Sequence, residues 1–229
     1  MPSWSIHLAL AKKVSDKLNL NKDLFLYGNL IPDVDFNNAI TRKQSHYYES
    51  NMYFDFCNKA RKIDIDSFLQ DYKDVLNNHL VLGYYSHLLT DNFYNEIAYS
   101  RWIVDENKVP IGIMLKDKTI KYIDSDDKER IKQKYKHNDF ELYGKNLYKN
   151  NEVCIPENIN IIKENIKYLK KCPISYSDVK YRLDYLKNEF KIFNEFKGDE
   201  VYQMFDESEL DDIFNMCLEM LIVKIKEIL

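Results

Sequence analysis

Turn-forming residues are scarce in this chain: its 229 residues hold only five glycines and five prolines. An all-β sandwich or barrel needs turn signals about every 8–12 residues, so this scarcity argues for helices joined by short links. Thiol pairs are missing as well. None of Cys57, Cys154, Cys172 and Cys217 forms a C-x-x-C pair, which excludes a zinc-thiolate reading. No apolar run approaches a transmembrane span; the last, Met216 to Leu229, is interrupted by Glu219, Lys224 and Lys226. The N-terminus, Met-Pro-Ser-Trp-Ser-Ile-His, lacks the charged and apolar regions of a secretory signal. The expectation is a cytoplasmic protein with reduced thiols. Excess positive charge is missing too. A formal net charge of −4 disfavours generic binding to nucleic-acid backbones, though not a local basic patch. The Lys-rich runs of the C-terminal half are mixed with Glu and Asp and read as solvated helix faces.

What the chain does hold is apolar and aromatic. Hydrophobic residues make up 45%, with 18 Tyr and 12 Phe, enough for a sizeable aromatic core. The most uniformly apolar helical run extends from about Leu80 to Ile103. Before it, helices are expected from Ser5, from Asn21 to Leu30, from Ser45 to about Lys62, and from Ser67 to Asn78. Ser3 or Ser5 can cap the first. Pro32 ends the second and leaves Asp33 at the start of a loop, with Asp35 close by as a substitute. A polar loop is expected from Asn37 to Gln44. Residues 103–123 are β-branched and turn-interrupted, which suggests an extended excursion or small hairpin. Helical periodicity then returns over about 125–135, 139–149, 157–171, 177–196 and 206–228. The fold class expected is all-α. One domain spans 1–229, with the chemistry in residues 1–102 and packing helices in 124–229.

Within the apolar run, His87 and Asp91 are one turn apart and share a helix face. Gly83, one turn earlier, leaves room for a close approach. A buried carboxylate needs a partner, so the pair is either a metal-ligand pair or a buried hydrogen-bonded pair. Three more residues fall on inward faces or helix edges. His7 shares a stripe with Ala11, Val14 and Leu18, Asp33 follows Pro32, and His46 opens the third segment. Histidine and carboxylate ligands without cysteine suit zinc or another divalent first-row metal, and helical bundles build such centres in their cores. His79 is read as structural or exposed.

Four motifs occur in a fixed order. They are Ser5-Ile6-His7-Leu8, Gly28-Asn29-Leu30-Ile31-Pro32-Asp33, Ser45-His46-Tyr47-Tyr48-Glu49, and His87-Leu88-Leu89-Thr90-Asp91. In this set and order the N-terminal hundred residues resemble the zinc-dependent phospholipase C family, which shares its fold with the S1/P1-type nucleases. The resemblance implies that Asp33, His46, His87 and Asp91 hold one zinc ion, and that Asp91 bridges to a second bound also by His7. The family's secreted members carry three metals and use a mature N-terminal Trp amine. Here the nearest Trp is Trp4, whose amine is in a peptide bond. For a third metal the candidates are His137, Asp139 and Glu141, since His137 and Glu141 have the H-x-x-x-E form. The resemblance thus implies one to three Zn2+ ions and hydrolysis of a phospholipid head group or a small phosphodiester by a metal-activated water. Asp33 or Glu49 would orient that water. The alternatives are a single-strand nuclease on the same fold and a metal-stabilised binding module without chemistry.

Overall fold

A computed structural model describes residues 2–34, 40–123, 128–195 and 201–229, the side chains of 128–133 and 192–195 excepted. Asp35 and the first residues of the polar loop expected from Asn37 lie outside that set.

The apolar run forms α5 (His79–Ser100), whose N-cap Asn78 accepts the Leu80 N–H at 2.9 Å. Leu80 through Leu88 are all buried, so the helix is surrounded rather than lying on a surface. Ahead of it in sequence, α1 (Trp4–Leu18) begins at Ser3 and ends on Asn19, which takes a left-handed conformation at φ 53°. Next, α2 (Lys22–Leu30) is capped by Asn21, whose side chain accepts the Leu24 N–H. The Nδ1 of His79 in turn accepts the N–H of Asn21, a structural role.

Gly28 of α2 meets Gly83 of α5 where the two helices cross. A Cβ on Gly28 would stand 2.6 Å from the Gly83 Cα, and one on Gly83 would stand 2.9 Å from the Gly28 Cα. The helices therefore touch backbone to backbone, which no other residue type permits. This contact is the close approach that Gly83 foreshadowed. It carries the chain past α5 and into a 3-10 turn, Ile31–Asp33, which starts Pro32 in a helical geometry rather than a loop.

The third segment departs from expectation. Helix α3 is short, Arg42–Ser45, fixed by a Thr41/Gln44 capping box, and ends at His46. Tyr47 is left-handed, at φ 52°, so no helix continues to Lys62. Helix α4 (Ile65–Tyr72), capped by Asp64, also stops short of Asn78. After α5, the excursion is a small antiparallel meander: β1 (Trp102–Val104), β2 (Pro110–Met114) and β3 (Ile120–Tyr122). Trp102 pairs with Ile113, and Ile113 with Lys121.

The remaining helices are α6 (Lys128–Lys149), α7 (Asn160–Asn165), α8 (Tyr176–Glu195) and α9 (Glu207–Lys226). Where two helices were expected, about 125–135 and 139–149, α6 runs unbroken, since no proline interrupts it. An Asp206/Glu209 capping box starts α9, which packs on α1 and α5, while α6 packs on α1. The architecture is thus mostly helical with one small sheet, the all-α class expected. Among the described residues no helix is long and apolar enough to cross a membrane.

Candidate metal centre

Four elements deliver five side chains to one buried point. His7 comes from α1, Asp33 from the 3-10 turn, His46 from the end of α3, and His87 and Asp91 from α5. None is more than 4% exposed. The potential ligand atoms form two overlapping groups, His7 with His87 and Asp91, and Asp33 with His46 and His87, each within 4.8 Å.

The ring nitrogens are oriented from behind. His87 Nδ1 lies 2.8 Å from the Asn29 carbonyl oxygen, which can only accept, so Nδ1 carries the proton and Nε2 presents its lone pair. His46 Nδ1 contacts Ser45 Oγ at 2.9 Å, and Ser45 Oγ donates to the Pro32 carbonyl at 2.8 Å. The Tyr84 hydroxyl donates to the Ser45 carbonyl and braces the same corner. Each brace comes from residues flanking the Gly28–Gly83 crossing or the turn after it.

Around His46 and His87 the inner atoms stand at the separations of ligands that share one metal ion. His46 Nε2 lies 3.3 Å from Asp33 Oδ1, 3.3 Å from His87 Nε2 and 3.5 Å from Asp91 Oδ2; His87 Nε2 lies 3.7 Å from Asp91 Oδ2. A tetrahedron with metal–ligand bonds of about 2.0–2.2 Å has edges of about 3.3–3.6 Å. The other oxygen of Asp91, Oδ1, faces His7 Nε2 at 3.2 Å, without the alignment of a hydrogen bond. The His7 and His87 rings are stacked, with centroids 4.0 Å apart.

Polar atoms at this point lack protein partners. Both nitrogens of His7 and both oxygens of Asp91 are buried without a hydrogen bond among the described residues. Orphaned groups of this kind are costly in a folded protein. A divalent cation beside His7 Nε2 and the Asp91 oxygens would satisfy three of these four atoms, so the residues present fit the group.

The charges agree. Burial alone would raise the Asp33 and Asp91 carboxyls, yet both are held well below the usual carboxylate range. For Asp33 the opposing influences are the His46 hydrogen bond and the Arg42 charge, and for Asp91 they are His87, His7 and His46. Burial, and secondarily His7, pushes the His87 imidazole down to about 3, which keeps it neutral and able to ligate. Arg42 is half exposed and contacts two of the cage residues. Its Nη1 donates to Asp33 Oδ1 at 2.9 Å and its Nη2 lies 3.2 Å from His46 Nε2.

The family model for zinc-dependent phospholipase C matches residues 4–197. The chain belongs to this family. No curated protein and no solved structure matches it significantly. The match reaches well beyond the N-terminal hundred residues that carried the resemblance, into α8. For a zinc-dependent phospholipase C, a cage of buried His and Asp side chains supports zinc as the metal.

The structure does not bring every candidate to the cage. Glu49 is exposed and lines a separate surface cleft with Tyr47, Asp64 and Asp71. Both oxygens of Asp139 accept backbone N–H groups, from Gln203 to Oδ1 and from Met204 and Phe205 to Oδ2, so this carboxylate anchors the chain ahead of α9. His137 and Glu141 are exposed, and Glu141 lines another cleft, with Trp4 and Arg182. No potential metal group forms around these three among the described residues. Arg42 escaped the sequence reading, although its place four residues before His46 puts the two on one helix face.

Proposed function

We propose that this chain is a zinc-dependent hydrolase of phosphodiesters, phospholipase C-like, with zinc held by Asp33, His46, His87 and Asp91 and a second ion shared by Asp91 and His7. The observation that carries the reading is the cage spacing, 3.3–3.7 Å between ligand atoms, together with the split orientation of Asp91. Zinc bound there would supply Lewis acidity toward the phosphoryl oxygens and lower the pKa of a bound water.

The chain's own groups have distinct tasks. Asn29 and Ser45 hold the two imidazoles with their lone pairs inward. Asp33, kept ionised, accepts a hydrogen bond from the attacking water and orients it. Arg42 presents a forked, half-exposed cation beside Asp33, suited to a phosphoryl oxygen. The Tyr48 ring stacks on His46 at 5.9 Å and holds that imidazole from its face. The substrate class is a phospholipid head group or a related small phosphodiester.

Metal content and hydrolysis of a chromogenic phosphodiester test the reading together. Two zinc ions per chain and turnover abolished by chelator support it. Firmly bound zinc without turnover on phosphodiesters, phospholipid included, would reduce the centre to a structural role.

A further inference from the structure

The metal-bearing stripe of α5 does not end at Asp91. His87, Asp91, Asn95 and Tyr99 follow at four-residue spacing on one face, and all four are buried. At Asn95 the stripe meets Lys136 of α6. Lys136 Nζ donates to Asn95 Oδ1 at 3.0 Å, reaches the Tyr99 hydroxyl at 3.5 Å, and lies 4.6 Å from the centre of the Tyr99 ring. Lys136 is only 1% exposed.

These partners are all neutral. Among the described residues no carboxylate lies within ion-pairing distance of this ammonium, and the nearest in sequence, Asp139, is committed to the backbone of residues 203–205. An amide oxygen and an aromatic face offset part of the cost of burying a cation, but not its charge. The lysine meets the α5 stripe at Asn95 and Tyr99, one and two helical turns beyond Asp91. A second cation, Arg42, sits on Asp33. His137 is pushed down to about 4, first by desolvation of its ring and then by positive charges that include Lys136 and Arg42.

We propose that Lys136 is a built-in cation of the metal site, placed beside the cage to bind and stabilise an anionic phosphoryl group. In a poorly solvated interior a fixed charge acts across a helical turn without direct contact. This rests on the phosphodiesterase reading for the substrate's identity, but phosphate binding tests it separately.

Inorganic phosphate is the probe, titrated calorimetrically into the full-length protein with and without zinc. Lys136→Met should weaken phosphate binding ~tenfold or more while zinc content stays at the wild-type level, and Lys136→Arg, which keeps the charge, should restore most of it. Asn95→Asp provides a second arm that does not depend on tolerance of the Met variant. It leaves the lysine in place and supplies the missing carboxylate, so phosphate affinity should fall ~tenfold while the melting temperature holds or rises. Wild-type phosphate affinity in Lys136→Met or in Asn95→Asp, at wild-type zinc content, would make Lys136 a packing residue and overturn the inference. So would a wild-type protein that binds no phosphate in either metal state. A wild type that binds phosphate through Lys136 yet hydrolyses no phosphodiester would overturn the proposed activity and leave this inference standing.

Discussion

Arg182 donates from both Nε and Nη2 to the backbone carbonyl oxygen of Asp33, at 3.1 and 2.6 Å. The donor is on α8 and the acceptor precedes it by 149 residues. The guanidinium is itself held by stacking, 4.5 Å from the Trp4 ring. A C-terminal helix thus fixes the backbone of the turn whose side chain enters the cage. The second half of the chain does more than complete the packing, and its inclusion in the family match has a physical reason.

Arg182→Met should therefore weaken zinc binding by about 10–100-fold, the usual effect of losing an outer-shell partner. Arg182→Lys keeps the charge but offers no planar fork, and should recover only part of the loss. Competition with a chromogenic chelator gives the affinity. Equal zinc affinity in wild type and Arg182→Met would show that the contact serves packing alone.

The glycine crossing makes a separate prediction. Gly83→Ala forces a carbon into the backbone of α2, and the helices can only separate. Overpacking of this kind costs about 1–3 kcal/mol or more. Because Asn29 and Asp33 ride on the displaced side, zinc affinity should fall along with the urea midpoint. An alanine variant as stable as wild type would mean that the crossing is looser than the structure shows.

The ordered motifs made the five inward residues legible, because helix periodicity fixes which side chains share a face and His and Asp are conspicuous on an apolar one. The Gly28–Gly83 contact was half legible: Gly83 announced a close approach, but nothing local names the partner helix. Residues 46–64 misled because the break is set by a left-handed Tyr47, a residue type with no preference for that conformation. Lys136 and Arg182 were hidden for a different reason. Their meaning comes from contacts to α5 and to Asp33 that span 41 and 149 residues, and no spacing rule reports those. Asp139 fitted a ligand spacing, yet its oxygens are taken by a backbone loop more than sixty residues later.

The two oxygens of Asp91 point to different histidines, which separates the effects of two variants. Asp91→Ala removes the carboxylate that the two proposed ions would share and should strip the centre of metal. His7→Ala touches only the Oδ1 side and should leave one zinc ion per chain, held by Asp33, His46 and His87 with Asp91 Oδ2. Elemental analysis of proteins purified without chelator reads both counts. Identical metal content in the two variants would argue against a bridging carboxylate.

Acid should destabilise the metal-free protein in two stages. The His87 imidazole is neutral in the fold down to about pH 3, whereas an unfolded histidine titrates near 6.5. Between those values the unfolded chain binds more protons than the folded one, so stability rises with pH across that window. One proton of difference corresponds to a slope of at most about 1.4 kcal/mol per pH unit. The carboxyls of Asp33 and Asp91 act the same way but lower: depressed in the fold, they add stability above the unfolded carboxylate range, near 4, and lose it as pH falls further. Urea unfolding of chelator-treated protein at a series of pH values should thus show stability falling from about pH 6.5, and more steeply below about 4. In His87→Gln the upper stage should shrink to the part that His137, also depressed in the fold, contributes, and the lower one should persist chiefly through Asp33. A flat profile between pH 7 and 5 in the wild type would mean that His87 takes up its proton in the fold and pairs with Asp91 as an imidazolium, which is the arrangement a metal centre does not need.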